Sequence, residues 1–269
     1  MICTGVFLYL YDTVQSAHIT EHQNAMTLNT QQTHVYVTKV LAAKADRAKQ
    51  AAQAAAAQAV ADKSKNATAT TATSTDSHVC NSSTTHNNSA NIDVLVNKKH
   101  CLVPLSYYPT DLLSADGAML SAKAAYNFDA MYNAAASAGQ AFQVTSSYRS
   151  YVDQINTYNY WVSKSGKIGA DTYSARPGYS EHQTGFAVDL EAGSCALSCF
   201  GSSTQYTWLN QHASDYGFIQ RYPASEQAIT GYETEQWHYR YVGMSVAKDI
   251  LLKGATTLEQ YWNMSGGNY

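Results

Sequence analysis

Between Asn66 and Asn91 the chain is built almost wholly from Thr, Ser, Asn and Ala, with almost no large apolar side chain. Such a segment cannot bury enough surface to offset the entropy of ordering its backbone. It reads as a flexible linker over 66–91, and it confines any packed domain to residues 92–269. Residues 1–65 are left as an N-terminal extension. Within it, Val35–Lys65 is Ala-rich and carries Lys44, Asp46, Arg47, Lys49 and Asp62. These are mostly good helix formers without apolar bulk, so an exposed helix or stalk is expected there.

The composition changes at Ile92-Asp93-Val94-Leu95-Val96, after which apolar clusters, turns and aromatics reach globular density. Gly117–Gly139 has Met119, Ala122, Tyr126, Ala130 and Met131 near helical spacing and is read as one helix stopped by Gly139. Ala141–Thr145 reads as a strand, and Tyr151–Lys164 as a helix ending near Gly166. Phe186–Leu190 is a strand, Tyr206–Tyr216 a helix stopped by Gly217, Trp237–Val242 a strand, and Ser245–Lys253 a helix ending at Gly254. Helices and short strands mix without a regular βαβ repeat, which makes the class α+β.

The net charge of −3 with only 14% charged residues argues against nucleic acid as a partner, since such binders carry a basic patch or stripe. No apolar run approaches the roughly 20 residues of a transmembrane helix. Ile2–Leu10 is apolar, but it is short and no Lys or Arg precedes it, so it does not make a signal-peptide pattern. Of the cysteines, Cys195 and Cys199 are spaced to close a small loop, and Cys80 and Cys101 flank the domain start. Two disulfides and one spare Cys are expected, which implies an oxidising compartment; isolated buried thiols are the alternative. His18-Ile19-Thr20-Glu21-His22 fits a short zinc-peptidase pattern but lacks the apolar helix that would carry it. The Asn-X-Ser/Thr matches at Asn66, Asn81 and Asn87 arise from the composition of the linker.

Chemistry concentrates in two segments, Ser180–Asp189 and Glu235–Arg240. In a strand over Phe186–Leu190, Phe186, Val188 and Leu190 share one face, and Asp189 turns outward beside Ala187. His182 lies across Gly185, which lets the backbone turn closely. In Trp237–Val242, the aromatics Trp237, Tyr239 and Tyr241 share a face while His238 and Arg240 share the other. His182, Asp189 and His238 then form a metal-ligand set with an open position, and Glu235 is a candidate general base. A strict strand places Glu235 on the face opposite His238, so the backbone must bend or bulge between them. The alternative is a capping Asp189 and a surface His182, and taken alone His182 reads as the surface imidazole.

The pattern SxHxxGxAxD appears as Ser180, His182, Gly185, Ala187 and Asp189, and ExWHxR as Glu235, Trp237, His238 and Arg240. With Val96-Asn97-Lys98, Ser147-Tyr148-Arg149-Ser150, Gln154, Tyr216-Gly217-Phe218, Arg221-Tyr222 and Tyr241-Val242-Gly243, the chain from about Ile92 to Trp262 resembles the D-alanyl-D-alanine carboxypeptidases of the VanY type, in zinc peptidase family M15. The resemblance implies a hedgehog/DD-peptidase-like fold, a small antiparallel sheet flanked by helices. It implies Zn2+ held by His182, Asp189 and His238, with Glu235 as catalytic base. It further implies that Arg149 stabilises the polarised carbonyl, where the alternative is a structural ion pair, and that Ser180 and Gln154 hold the substrate's terminal residue. One departure is visible: the family has Pro between the Glu and the Trp, where this chain has Gln236. Gln frees φ and restores a backbone donor, so the bend at Glu235 is less rigidly specified.

The implied activity is removal of terminal D-alanine from peptidoglycan stem peptides by a monomer in the cell envelope or outside the cell. The rivals are an L,D-carboxypeptidase or peptidoglycan endopeptidase on the same fold, and a wall-binding module without catalysis.

Overall fold

The computed structural model describes residues 85–193, 195 and 197–269. The Ala-rich helix expected at 35–65, the linker as far as residue 84, and the segment His18–His22 lie outside the described residues. Residues 85–91 lie against the domain: His86 stacks on Trp262 with ring centroids 4.3 Å apart. Ser89 exchanges hydrogen bonds with the backbone of Val103.

The first element is a hairpin, β1 (Leu112–Ala115) and β2 (Ala118–Ser121), paired antiparallel with Ala115 opposite Ala118. Asp116 and Gly117 turn it with φ of 35° and 87°. Both are left-handed, as a two-residue hairpin requires, and Asp-Gly is the favoured pair for it. The single helix expected over Gly117–Gly139 is therefore wrong at its start. Met119 belongs to β2, and helix α1 begins at Ala122 and runs to Ser137. Ser121 sets that boundary, its hydroxyl accepting from the Lys123 amide as N-cap. The apolar stripe Ala124, Ala125, Phe128, Met131 and Ala135 faces inward.

A four-stranded antiparallel sheet follows, in the order β3-β4-β6-β5. Its strands are β3 (Gln143–Ser146), β4 (Ala187–Glu191), β5 (Phe218–Tyr222) and β6 (Glu235–Tyr241). One face packs against α1: Phe128, Phe142, Phe186, Val188, Leu190, Phe200, Phe218 and Tyr239 form the main core. Each such side chain, fully buried, contributes about 1.5–3 kcal/mol. The face assignments read from alternation hold for Phe186, Val188 and Leu190, all within 1% of complete burial.

Helix α2 (Tyr151–Tyr173) does not end near Gly166 as expected. The chain leaves helical geometry at Gly166, with φ 70° and ψ 170°, and then resumes the helix to Tyr173. Helix α3 (Thr204–His212) tightens into a 3-10 turn, Ala213–Tyr216, before Gly217 stops it at φ 81°. Past the short helix α4 (Gln227–Thr230), helices α5 (Met244–Lys253) and α6 (Leu258–Trp262) close a second cluster of Leu95, Val242, Ala247, Ile250 and Leu258.

Cys195 and Cys199 form a disulfide, and Cys101 is also disulfide-bonded. Cys3 and Cys80 lie outside the described residues. Among the described residues, no helix is long and apolar enough to cross a membrane.

Candidate active site

On the face of the sheet opposite the main core, β4 and β6 carry Asp189 and His238 as direct cross-strand partners. A 3-10 turn, Glu181–Thr184, leads into β4 and brings His182 beside them. It closes at Gly185, in the left-handed region at φ 72°. A Cβ there would lie 3.0 Å from the backbone nitrogen of Ser121, whose amide donates to the Gly185 carbonyl. Glycine is thus required twice, by conformation and by close approach.

His182 Nε2 lies 3.2 Å from Asp189 Oδ2, and His238 Nδ1 lies 3.1 Å from Asp189 Oδ1. One ligand atom from each of these residues falls within 4.8 Å of the others. His182 Nδ1 lies 2.7 Å from the Ser147 carbonyl. A carbonyl only accepts, so Nδ1 carries the proton and Nε2 turns its lone pair toward Asp189. Asp189 Oδ1 is buried and makes no hydrogen bond of acceptable geometry. Two imidazole nitrogens and an orphaned carboxylate oxygen fit a divalent cation, and the N/O donor set suits zinc.

Glu235 reaches the same place because β6 is irregular. Gln220 pairs with Tyr239, but Tyr222 pairs with Glu235, so Arg221 alone on β5 spans Gln236–His238 on β6. That irregularity supplies the bend strand parity demanded, and Glu235 Oε2 comes 3.6 Å from His238 Nδ1. Gln236 lies over Gly201, where a Cβ would sit 2.6 Å from its Cδ. Burial pushes the Glu235 carboxyl up to about 8, against the opposing pull of His238 and with reinforcement from Asp189.

Arg149 stands at the side of the cavity. Its guanidinium donates to Gln154 Oε1 at 3.0 Å and to Ser146 Oγ at 2.7 Å, while Gln154 Nε2 donates to the Ala175 carbonyl at 2.7 Å. Burial pulls Arg149 below its ordinary value, opposed by Asp189, Glu235 and Asp153. Among the described residues, no carboxylate lies within ion-pairing distance of Arg149, which leaves its charge for something else. Ser180 and Gln154 line the same cavity, of about 530 Å³, as do His182, Asp189, His238, Glu235 and Arg149. All seven residues singled out from the sequence therefore meet in one place.

Sequence reasoning missed Glu181 and the charges around it. Glu181 Oε1 accepts from Arg221 Nε at 2.8 Å and Arg240 Nη1 at 3.0 Å. Its Oε2 lies 3.3 Å from His238 Nε2. Arg221 is also held by Glu259 through two hydrogen bonds of 2.9 and 2.7 Å. Burial pushes Glu181 up, but Arg221, Arg240 and His238 outweigh it and hold the carboxyl well below the usual range. Burial lowers His238 in turn, yet Asp189, Glu181 and Glu235 together raise it to about 10. Burial lowers His182 despite Asp189. Trp161, Tyr173, Tyr222, Tyr232 and Trp237 complete the cavity wall. The signal for Glu181 was an acid inside the Ser180–Asp189 segment, with Arg221 and Arg240 waiting in distant ones.

Comparison with known proteins agrees with this geometry. The family model for VanY, D-alanyl-D-alanine carboxypeptidase, matches residues 117–244. YodJ of Bacillus subtilis (strain 168) is 38% identical over 191 residues, spanning 66% of this chain and 69% of YodJ. Among solved structures, the LdcB LD-carboxypeptidase is 38% identical with a TM-score of 0.61, covering 66% of this chain and 89% of LdcB. A vancomycin-resistance D,D-pentapeptidase VanY in complex with Zn(II) is 31% identical with a TM-score of 0.56, covering 63% of this chain and 98% of that one. By these matches and by the residues gathered in its cavity, the chain belongs to the VanY family of carboxypeptidases.

Proposed function

We propose that the protein is a zinc-dependent D-alanyl-D-alanine carboxypeptidase acting on peptidoglycan stem peptides. The observation that carries the reading is the convergence of His182, Asp189 and His238, with an orphaned Asp189 oxygen, on a cavity that also holds Glu235 and an Arg149 with no carboxylate partner among the described residues. His182 and His238 would hold the metal through Nε2 and Nδ1, and Asp189 through its carboxylate. Zinc, when bound, supplies Lewis acidity and makes water a competent nucleophile at neutral pH.

The chain's own residues do the rest. Glu235 takes the proton of the attacking water and returns it to the leaving amine. Burial pushes its carboxyl up to about 8, close to neutral pH, where one group can both accept and return a proton. Arg149, fixed by Ser146 and Gln154, stabilises the negative charge that develops on the scissile carbonyl oxygen. Ser180 and Gln154 orient the terminal residue, and the aromatic wall excludes water and holds the stem peptide. An envelope or extracellular location, a monomeric state and a spacer role for 66–84 go with this reading.

A second reading is favoured by one observation. The LdcB likeness is at least as strong as the likeness to the D,D-pentapeptidase. An L,D-carboxypeptidase would remove the terminal D-alanine of a tetrapeptide rather than a pentapeptide, with the same residues in the same roles. Purified protein is incubated separately with each peptide, with and without a chelator, and the products are weighed by mass spectrometry. Pentapeptide shortened by one D-alanine supports the first reading; tetrapeptide alone being shortened supports the second. Unchanged peptides in both would sink the carboxypeptidase, and full turnover of the chelated protein would sink zinc.

A further inference from the structure

We infer that Glu181 is a positioning residue that fixes the metal-binding tautomer of His238, and that Arg221 and Arg240 assign this task to one of its two oxygens. The inference rests on the reading that His182, Asp189 and His238 hold a metal.

A neutral imidazole has one N–H and one lone pair, and only the nitrogen with the lone pair can ligate. His238 turns Nδ1 toward Asp189 and Nε2 toward Glu181 Oε2, at 3.1 and 3.3 Å. A carboxylate accepts and does not donate. With Glu181 ionised, the His238 proton belongs on Nε2 and the lone pair on Nδ1, facing the site. Glu181 is kept ionised by Arg221 Nε and Arg240 Nη1, which both donate to Oε1. That leaves Oε2 for the imidazole. The other imidazole is fixed in the opposite sense, since Ser147 O takes the proton of His182 Nδ1 and frees Nε2. Glu181 and His182 are adjacent on one 3-10 turn. The same turn thus supplies one ligand and sets the tautomer of another that comes from β6. Partners of this kind raise ligand basicity and hold the ring in place.

Glu181→Gln separates this role from a merely structural one. The amide oxygen can still accept from the arginines, which turns its NH2 toward His238 Nε2. That nitrogen must then accept, the proton moves to Nδ1, and the lone pair leaves the site. Zinc affinity, measured on purified protein by competition with a chromophoric chelator, is expected to fall roughly 10- to 100-fold. Glu259→Gln removes a carboxylate from the same arginine cluster without touching His238. It is expected to lower thermal stability and leave zinc affinity unchanged. Wild-type affinity in Glu181→Gln, or equal weakening in Glu259→Gln, overturns the inference. Should Glu181→Gln not fold, long-range 1H–15N spectra of zinc-loaded wild type still decide. A proton on His238 Nε2 and none on Nδ1 is expected, and the reverse overturns the inference. A wild-type protein that binds no zinc overturns the metal reading itself, and so the two failures are told apart.

Discussion

Asp189 and Leu190 are neighbours on β4, and Tyr239 and Arg240 are neighbours on β6, yet each pair divides between opposite faces of one sheet. On the α1 side, Leu190 and Tyr239 join an apolar core whose contacts carry no charge. On the other side, Asp189 and Arg240 join charges, Arg240 fully buried and Asp189 with a side chain 13% exposed. There no side chain is independent: Glu181 answers to Arg221, Arg240 and His238, and Arg221 answers to Glu259 as well. Apolar burial tolerates small losses because transfer energy scales with the area lost. A buried charge tolerates the loss of a partner poorly, because the charge left behind must be desolvated alone. The molecule therefore carries a graded face and an all-or-none face back to back.

The largest expected effect is catalytic. Glu235→Gln should lower turnover of the susceptible peptide by about 10²- to 10⁴-fold, the range for losing a general acid–base group. Zinc content and the thermal unfolding midpoint of the loaded protein should hold. Unchanged turnover would remove Glu235 from the mechanism and leave the polar face a structural device only.

Next come the two faces themselves. Arg240→Met deletes a side chain that donates to Glu181 and to the carbonyls of Ile92 and Val94. Breaking a buried pair in this way should cost about 3–5 kcal/mol in denaturant unfolding and weaken zinc retention through Glu181. Leu190→Ala, on the apolar face, should cost about 3 kcal/mol through a cavity, with zinc affinity unchanged. If Leu190→Ala weakened zinc as much as Arg240→Met, the faces would be coupled and the contrast between them lost.

This contrast also explains what was legible in the sequence. The graded face follows a period of two, so Phe186, Val188 and Leu190 could be assigned to the core from alternation alone. The same parity marked the need for a bend at Glu235, and the irregular pairing of β5 with β6 meets it. The all-or-none face keeps that period at Asp189, His238 and Arg240, but the partners that hold its charges lie outside β4 and β6. Glu181 gains its environment from Arg221 and Arg240, 40 and 59 residues away, a closeness no local pattern carries. The missed hairpin had a different cause. Ala118 and Met119 flow into an Ala-rich helix, and the helical spacing hid the Asp116-Gly117 turn signal. Gly166 reads as a stop in the sequence because glycine often ends helices, whereas in the structure it only interrupts one.

Two carboxylates on the polar face should carry opposite pH signatures in metal-free protein. Glu181 is held below its unfolded value. Its contribution to stability is full above about pH 4.5 and is lost as pH falls toward its folded value. Glu235 is pushed up to about 8 from an ordinary 4.5, so its folded state binds the extra proton. Its contribution is full below 4.5 and is lost as pH rises to about 8. Denaturant midpoints across pH should therefore show Glu181→Gln approaching wild type as the solution is acidified. Glu235→Gln should gain on wild type as the solution is made alkaline. Parallel curves for either variant would contradict the charge states assigned to this face.

The smallest effect belongs to a pair that looks the same on paper. Lys253 Nζ lies 2.7 Å from Asp249 Oδ2 one turn away on α5, closer than Arg240 lies to Glu181. Tyr261 also donates to Asp249, at 2.6 Å. The hydrogen bonds from Lys253 and Tyr261 lower the Asp249 carboxyl. But the Lys253 side chain is 63% exposed, and water and salt screen what distance alone would make strong. Asp249→Asn should leave the unfolding midpoint hardly distinguishable from wild type at moderate salt, with any residual difference gone at high salt. Distance is then not what separates the polar face from the surface; desolvation is. A large, salt-resistant loss in Asp249→Asn would break that argument, and with it the reason for expecting Arg240→Met to be severe.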